Sequence, residues 1–347
     1  MRAVIRAIEY HLPESVLTTE KLSAEFPEWS VERIEEKVGI RERHIAAEDE
    51  CSSDLGIAAA QRLFATGQCR PEDIDFLLFC TQSPDYFLPT TACLVQNALG
   101  IPRTAGALDF NLGCSGYIYG LSLAKGLIET GQARTVLLIT AETYSKFIYP
   151  ADRSVRTIFG DAAAATLITG VEMELDAIGP FVFGTDGRGA ENLVVPAGGM
   201  RKRRAGGADG SDADGNARGP EHLYMNGGEL FSFTLNAVPE SVSNLMAKAN
   251  STIADFDLFV FHQANRYMLE SLRRAMKIDK EKFYISMEHC GNTVSSTIPI
   301  ALRNAQEDGV LKPGARVALV GFGVGYSWGA TSIRWLPAPE GVELPHG

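Results

Sequence analysis

The chain has 347 residues, enough for one large domain or two closely packed ones, and its 45% hydrophobic and 22% charged residues are typical of a globular protein. A net charge of −11 argues against nucleic acid as a partner, and no apolar run approaches the ~18 residues of a membrane span. Because the first residues lack the continuous apolar segment of a signal peptide, we expect a cytoplasmic location.

The cysteines and histidines predict free thiols and no metal site. The six cysteines contain no CxxC pair, and the six histidines are scattered without an HExxH motif. Residues 321–329 (GFGVGYSWG) are a poor dinucleotide fingerprint, because Tyr326 stands where the last glycine is needed and no acidic residue follows at the required distance. We therefore expect no cofactor.

Short apolar runs alternate with helical stretches, which indicates an α/β protein, and the pattern occurs twice. In the first half, a buried strand, a helix, a second strand and a long helix opened by Cys114 are predicted at residues 75–83, 90–100, 105–113 and 114–130. The same order recurs in the second half at residues 257–265, 266–278, 281–293 and 294–306, where residues 281–293 are predicted as a strand and turn. Overlaying the halves pairs Cys80 with His262 and places Cys114 near Asn292. This duplication predicts two similar α/β halves related by a pseudo-twofold axis.

The junction between the halves is expected near residues 170–180. We assign residues 1–175 to the half that carries Cys114, and residues 176–347 to the half that carries His262 and Asn292. Residues 197–220 are rich in glycine and charge, so we predict a long surface loop there.

Three side chains at strand ends are candidates for chemistry. Cys114, placed between glycines at a strand-to-helix turn, would meet the positive end of the helix dipole, which favours a thiolate; a buried core thiol is the alternative. His262 ends a buried strand and could instead be a structural histidine, and Asn292 lies in a turn where asparagine is common for backbone reasons. Strand ends of this kind converge at one site in α/β proteins, so together the three predict a catalytic centre.

Several motifs, in order along nearly the whole chain, carry a family resemblance. They are GIRERHIA (39–46), GCSGY (113–117), DRSVRTIFGDAAAATLI (152–168), HQAN (262–265), HCGNT (289–293) and GFGVGYSWGATSIRW (321–335). With these motifs the chain resembles β-ketoacyl-acyl carrier protein synthase III, the initiating condensing enzyme of bacterial fatty acid synthesis. The resemblance implies a thiolase-like fold, with two duplicated α/β halves in a layered αβαβα arrangement.

The resemblance also implies a ping-pong reaction. Cys114 would attack an acyl-CoA thioester and hold the acyl group, and malonyl-ACP would then lose CO₂ and attack the acyl-cysteine. His262 and Asn292 would hydrogen-bond the thioester oxygen where negative charge collects, and the backbone N–H groups of Cys114 and Val324 would form an oxyanion hole.

Substrate contacts follow from the resemblance in the same way. Arg153 matches an arginine placed against the CoA adenine, Asn265 a residue near the pantetheine arm, and Phe322 the aromatic beside the malonyl group. Phe87 and Leu88 fall where a partner subunit closes the acyl pocket, which implies a homodimer.

Three departures from the family pattern point to a specialised paralogue with an unusual acyl group. The insertion IEEK lengthens the segment before residue 39, so the upstream Trp29 is left unassigned. Val324 replaces a glycine and is expected to reshape the pocket. Residues 291–299 (GNTVSSTIP) and 160–168 (GDAAAATLI) also differ from the housekeeping enzymes.

An acidic carrier protein needs a basic landing site. Four basic residues fall at helical spacing after His262, namely Arg266, Arg273, Arg274 and Lys277. Residues 201–204 (RKRR) are a second candidate, and a solvated surface explains either run equally well.

Three other functions stay open. The same scaffold could transfer the acyl group to an alcohol or amine without condensation, or the protein could be a cysteine thioesterase or a non-catalytic carrier-binding protein. His262 and Asn292 favour condensation, because decarboxylation is the step that needs both.

Overall fold

A computed structural model describes residues 1–204, 206–212 and 215–337. The strands in chain order are β1 (Arg2–His11), β2 (Ser15–Thr18), β3 (Glu42–Ile45), β4 (Phe76–Cys80), β5 (Gly106–Phe110), β6 (Thr135–Glu142), β7 (Ala162–Val171), β8 (Ile178–Thr185), β9 (Leu193–Val194), β10 (Gly210–Ser211), β11 (Ala217–Arg218), β12 (Tyr224–Met225), β13 (Leu258–Phe261), β14 (Phe283–Tyr284), β15 (Arg316–Gly323) and β16 (Ser327–Arg334). The α-helices are α1 (Thr19–Glu25), α2 (Val31–Val38), α3 (Ser52–Ala65), α4 (Thr91–Leu99), α5 (Gly116–Glu129), α6 (Arg153–Arg156), α7 (Gly227–Lys248), α8 (Arg266–Ala275) and α9 (Thr297–Glu307). Among the described helices, none is long and apolar enough to cross a lipid bilayer.

Two five-stranded mixed sheets repeat one topology. The first has the order β1–β7–β6–β4–β5 and the second the order β8–β16–β15–β13–β14. In each sheet the last three strands of this order are parallel, and the first two pair antiparallel with their neighbours. The predicted duplication is therefore confirmed. The sheets separate between Val171 and Ile178, and the boundary at residues 175/176 stays a prediction.

The helices form three layers around the two sheets. α5 and α9 contact strands of both sheets, whereas α3 and α4 cover the outer face of the first sheet and α7 and α8 that of the second. A helix between two sheets must be apolar on most of its surface, and α5 buries Tyr117, Leu121 and Ile128 in one core with Val260 and Leu319 of the second sheet. This is the αβαβα arrangement that the resemblance implies.

A segment of the first half packs on the second half. Helices α1 and α2, capped by Thr18 and Ser30, insert Leu22, Ile34 and Val38 into the core that covers the outer face of the second sheet. This docking brings α2 against α8, the helix that follows β13 of the second sheet.

Residues 281–293, predicted as a strand and turn, form a short strand followed by a turn. Only Phe283 and Tyr284 pair in the sheet, and the chain then turns so that the N–H of Gly291 donates to the carbonyl of Met287. Gly291 has φ +72°, a conformation that glycine adopts without strain. The turn directs the following residue, Asn292, toward the first half.

Candidate active site

A cavity of about 550 Å³ lies where the strands of both sheets end. Its wall includes Cys114 beyond β5, His262 directly after β13, and Asn292 from the loop that precedes α9. The structure therefore places the three predicted side chains along one cavity, at the edge of the sheets where ligands of α/β proteins bind.

Cys114 lies before its helix rather than inside it. α5 begins at Gly116 with Ser115 as its N-cap, so Cys114 is not in the first helical turn as predicted. The thiol is 5% exposed, and burial, followed by the charge of Glu142, raises its pKa well above the usual range. Burial thus favours the protonated thiol, which opposes the preference for a thiolate expected from the helix dipole. Gly323 packs closely against this sulfur, since a Cβ atom added at Gly323 would lie 3.0 Å from Sγ of Cys114.

His262 is buried and electrically neutral. Its imidazole is 2% exposed, and burial lowers its pKa to about 3. Nδ1 lies 2.8 Å from the hydroxyl oxygen of Thr297, and the ring of Phe322 meets the imidazole edge-on at 5.4 Å. Since Nδ1 is engaged on the protein side, Nε2 is the nitrogen available to a ligand in the cavity.

Asn292 is oriented by its own loop. Its Oδ1 accepts a 2.9 Å hydrogen bond from the N–H of Val294, so the NH₂ end of the amide is the one directed at a ligand. Val294 makes this bond at φ +55°, a left-handed conformation that is unusual for a β-branched residue. The backbone of Asn292 also bonds to Ile158 and Gly160 of the first half, which fixes the loop against the cysteine side of the cavity.

Three consecutive buried hydroxyls, Ser295, Ser296 and Thr297, follow this loop; we call them the hydroxyl run. Ser295 donates to Glu142 at 3.3 Å, and Ser296 donates to the carbonyl of Thr140 at 3.0 Å. Because Thr140 and Glu142 belong to β6, these bonds join the Asn292 loop to the first sheet. Thr297 faces the other way, toward His262.

The mouth of the cavity is basic and aromatic. The guanidinium groups of Arg33 and Arg153 and the ammonium group of Lys37 lie 5.6, 5.5 and 5.4 Å from the ring centroid of Trp29. Arg153 also pairs with Glu28. Sequence reasoning left Trp29 unassigned because its distance from residue 39 does not fit the family spacing. Trp29 nevertheless lies at the cavity, because α2 docks beside it. The amphipathic pattern of α2 is the feature of the sequence that could have indicated this docking.

Only some of the other residues predicted to contact substrate line the cavity. Asn265 and Phe322 line the cavity, and the Oδ1 of Asn265 also caps α8 by accepting from Met268 at 2.8 Å. The side chain of Val324 lies against Gly113: a Cβ atom added at Gly113 would lie 2.7 Å from Cγ1 of Val324. The role of the Val324 backbone N–H in an oxyanion hole stays a prediction. Phe87 and Leu88 lie outside the cavity wall and are 73% and 82% exposed.

The four basic residues predicted for docking do not form one free stripe. Arg273 is half-buried and bonds to Glu270 and to the carbonyl of Ile278. Arg266 and Arg274 are exposed but pair with Glu288 and Glu270, respectively, and Lys277 lies beyond the end of α8. Docking of a carrier protein at these residues stays a prediction.

The buried carboxyl group of Glu142 makes stability depend on pH. Burial raises the pKa of Glu142 to about 8 from 4.5, although Ser83 and Gln82 donate to it. The folded state then holds a proton that the unfolded chain releases, so the free energy of unfolding falls as the pH rises from 4.5 to about 8, by up to ~1.4 kcal/mol per pH unit. Glu142→Gln is expected to flatten this dependence. Urea unfolding of both proteins across this pH range checks it, and parallel curves would contradict it.

Comparisons with known proteins decide the family. Models of 3-oxoacyl-[acyl-carrier-protein] synthase III and of its C-terminal region match residues 108–187 and 246–335. The β-ketoacyl-[acyl-carrier-protein] synthase III of Caldanaerobacter subterraneus subsp. tengcongensis is 36% identical over 328 residues, covering 94% of this chain and 95% of that protein. The synthase III of Symbiobacterium thermophilum is 38% identical over 324 residues, with 93% and 95% coverage. The chain belongs to the 3-oxoacyl-[acyl-carrier-protein] synthase III family.

Solved structures of synthase III proteins agree with this assignment. One crystal structure of a 3-oxoacyl-(acyl-carrier-protein) synthase III is 55% identical, with a TM-score of 0.95 and coverage of 96% of this chain and all of that one. The synthase from Burkholderia xenovorans LB400 is 34% identical, with a TM-score of 0.87 and coverage of 99% and 97%. The thiolase-like fold and the condensing, acyltransferase class of the enzyme follow from this membership.

Proposed function

We propose that this synthase III condenses an acyl-CoA primer with malonyl-ACP in fatty acid synthesis, through an acyl group held on Cys114. The observation that carries the proposal is the meeting of Cys114, His262 and Asn292 along one cavity. A thiol supplies the nucleophile, and an imidazole and an amide supply hydrogen bonds to a thioester oxygen without a metal ion.

In the first half-reaction the sulfur of Cys114 attacks the thioester carbon of acyl-CoA, and CoA leaves as its thiol. The tetrahedral oxygen would be held by the backbone N–H groups of Cys114 and Val324. Close packing of Gly323 on the sulfur supports this, because it brings the 323–325 loop within reach of the reacting carbon.

In the second half-reaction malonyl-ACP loses CO₂ and the resulting carbanion attacks the acyl-cysteine. The NH₂ group of Asn292 is already turned toward the cavity by the Val294 bond, which supports a role as donor to the enolate oxygen. His262 lies on the same wall as a second donor, and Phe322 would place an apolar ring beside the departing carboxylate.

The mouth of the cavity suits the nucleotide end of CoA. Trp29 and Arg153 offer a stacking surface and a cation to the adenine, and Arg33 and Lys37 offer charge to its phosphates. Asn265, which also lines the cavity, would meet the pantetheine arm. This assignment adds Trp29 to the set predicted from the sequence.

Trp29→Ala is expected to raise the KM for acyl-CoA by ~5- to 30-fold, the equivalent of ~1–2 kcal/mol of lost stacking, with kcat nearly unchanged. Steady-state kinetics with acetyl-CoA and with acetyl-N-acetylcysteamine, which lacks the nucleotide, check it; only the CoA ester should be affected. Phe26→Ala is the matched control, since Phe26 has a similar contact with Arg156 outside this cavity. An equal rise in KM for both esters would contradict the assignment.

A homodimer belongs to the same proposal. The side chains of Phe87 and Leu88 are mostly exposed, and β5 leaves one edge of the first sheet without a partner strand in the described part of the chain. A second copy that covered this edge would bury both side chains and could complete the acyl pocket. Light scattering should give twice the monomer mass. A cytoplasmic location and carrier docking near α8 are further parts of the proposal.

The decisive experiment incubates the protein with a panel of acyl-CoAs and then with malonyl-ACP. Intact mass should show one acyl adduct, and the second step should release CO₂ and form β-ketoacyl-ACP. Adducts without a malonyl-dependent product would instead indicate acyl transfer to another acceptor. Release of free acid without malonyl-ACP would indicate a thioesterase.

A further inference from the structure

A second cavity, of about 350 Å³, adjoins the catalytic cavity, and we call it the side cavity. It lies between the paired strands β2 and β3 and the segment that joins β6 to β7. It opens to solvent, since Ser15, Lys21 and Pro150 in its wall are exposed. Its volume falls within the ~300–1,000 Å³ that small-molecule sites usually have, and the reaction proposed above does not use it.

Phe159 separates the two cavities, because it lines both of them. Its side chain is 3% exposed and packs in one apolar cluster with Cys114 and Ile148, and Ile148 also lines the side cavity. The backbone next to Phe159 is fixed, because the N–H of Gly160 donates to the carbonyl of Asn292 at 3.1 Å. An acyl chain that extends from the Cys114 sulfur to the Phe159 ring therefore has open space behind that ring.

The more buried part of the side cavity suits an alkyl chain. Its apolar residues come from both sides of the cavity, and they are Val16, Leu17, Ile45, Ile148 and Phe159. Each methylene group that leaves water for such a surface strengthens binding roughly fourfold. The side cavity therefore favours a ligand with several consecutive methylene groups.

The opening of the side cavity carries positive charge. Lys21 donates to the carbonyl of Val16 at 2.7 Å, and its ammonium group has further hydrogens to offer. Arg156 pairs with Glu25, which balances the charge of the guanidinium group. Lys21 thus supplies the excess positive charge, which attracts an anion, whereas a methyl group there would only displace water from the ammonium group.

We propose that the side cavity binds the far end of a long acyl primer that terminates in a carboxylate, with the Phe159 side chain rotated aside and Lys21 paired with that carboxylate. The inference rests on the proposed function and names the acyl class, which is the CoA monothioester of a linear dicarboxylic acid. The acyl transfer itself is unchanged: the sulfur of Cys114 bonds to the thioester carbon, and CoA leaves as its thiol. The unusual acyl group predicted from the sequence is then of this kind.

The first test places an indole ring in the side cavity with Val16→Trp. Single-turnover acylation is followed by intact mass, with acetyl-CoA and with the CoA monothioester of decanedioic acid. The ratio of the ten-carbon rate to the acetyl rate is expected to fall at least ~10-fold, which is the effect of keeping two methylene groups from the apolar wall. Val171→Trp is the matched control, because Val171 is a half-buried strand residue outside both cavity walls, and its ratio should equal that of wild type.

The second test removes the charge at the opening with Lys21→Met. Wild type should be acylated by the decanedioic monothioester ~2- to 5-fold faster than by decanoyl-CoA at subsaturating concentration, the range expected for one exposed ion pair. Lys21→Met should lose this preference. Lys146→Met is the matched control: the Lys146 ammonium group also donates to a carbonyl at 2.7 Å, that of Glu48, but Lys146 lies outside the side-cavity wall.

The outcomes separate this inference from the proposed function. An unchanged rate ratio in Val16→Trp, or a wild type that acetyl-CoA acylates and neither ten-carbon ester does, would overturn the inference alone. Equal rates with the two ten-carbon esters in wild type would overturn the carboxylate end. If Val16→Trp does not fold, the comparison of Lys21→Met with Lys146→Met decides. Absence of an adduct with every ester, acetyl-CoA included, would contradict the proposed function.

Discussion

Cys114→Ala is expected to eliminate the acyl adduct and to lower formation of β-ketoacyl-ACP by at least ~10⁴-fold, because both half-reactions pass through this sulfur. No neighbouring thiol can substitute within the cavity wall: Cys80 and Cys290 are buried outside it. The measurement is intact mass after incubation with acetyl-CoA, followed by product analysis after malonyl-ACP is added. The fold should persist, since alanine at this position removes only the sulfur, which borders the cavity.

Cys290→Ser is the matched control for this prediction. Cys290 lies two residues before Asn292, and its thiol faces the carbonyls of Ser286 and Gly291, which a hydroxyl can also reach. The serine variant should be acylated like wild type. Retention of the adduct in Cys114→Ala would show that another residue is the nucleophile, and the ping-pong proposal would fail with it.

Asn292→Ala is expected to slow malonyl decarboxylation by ~10²–10³-fold, the usual cost of removing one donor at a developing oxyanion, while leaving acylation of Cys114 largely intact. This separation is expected because, in the proposed reaction, the amide donates to the oxygen that becomes negative only when CO₂ departs. Acylation is followed by intact mass, and decarboxylation by CO₂ release from malonyl-ACP on the pre-acylated enzyme.

Thr293→Val is the matched control beside Asn292. Thr293 is fully buried, and its hydroxyl has no hydrogen-bond partner among the described residues, so valine preserves the shape and removes an unsatisfied polar atom. This variant should keep both half-reactions. If Asn292→Ala slowed acylation and decarboxylation equally, the amide would be supporting the loop rather than the enolate.

The sequence predicted the duplicated fold and the three central residues because both depend on local patterns. Buried strands such as β4 and β13 are continuous apolar runs, and the residues directly after a strand must emerge at its carboxyl edge. The position of His262 follows from the end of β13 alone. Such features require no knowledge of how the halves pack.

Properties set by packing between the halves could not be predicted in this way. Trp29 reaches the mouth of the cavity because Ile34 and Val38 dock in the core of the other half, and spacing along the chain does not encode that contact. The pKa of Cys114 reverses the expectation for a helix start, because burial depends on the second half covering the thiol. Arg273 has helical spacing, but its guanidinium bonds to Glu270 and to the carbonyl of Ile278, contacts that the spacing does not reveal.

The repeated topology has a consequence for how such a centre could arise. Cys114 precedes α5 and Asn292 precedes α9, and these helices occupy the same place in the two repeats. An ancestor built from two identical units would have carried the same amino acid at both places, either two nucleophiles or two carboxamides. A site with one cysteine and one asparagine requires the two units to differ in sequence. The two residues could therefore take different roles only after both units were encoded in a single gene or in two diverged genes.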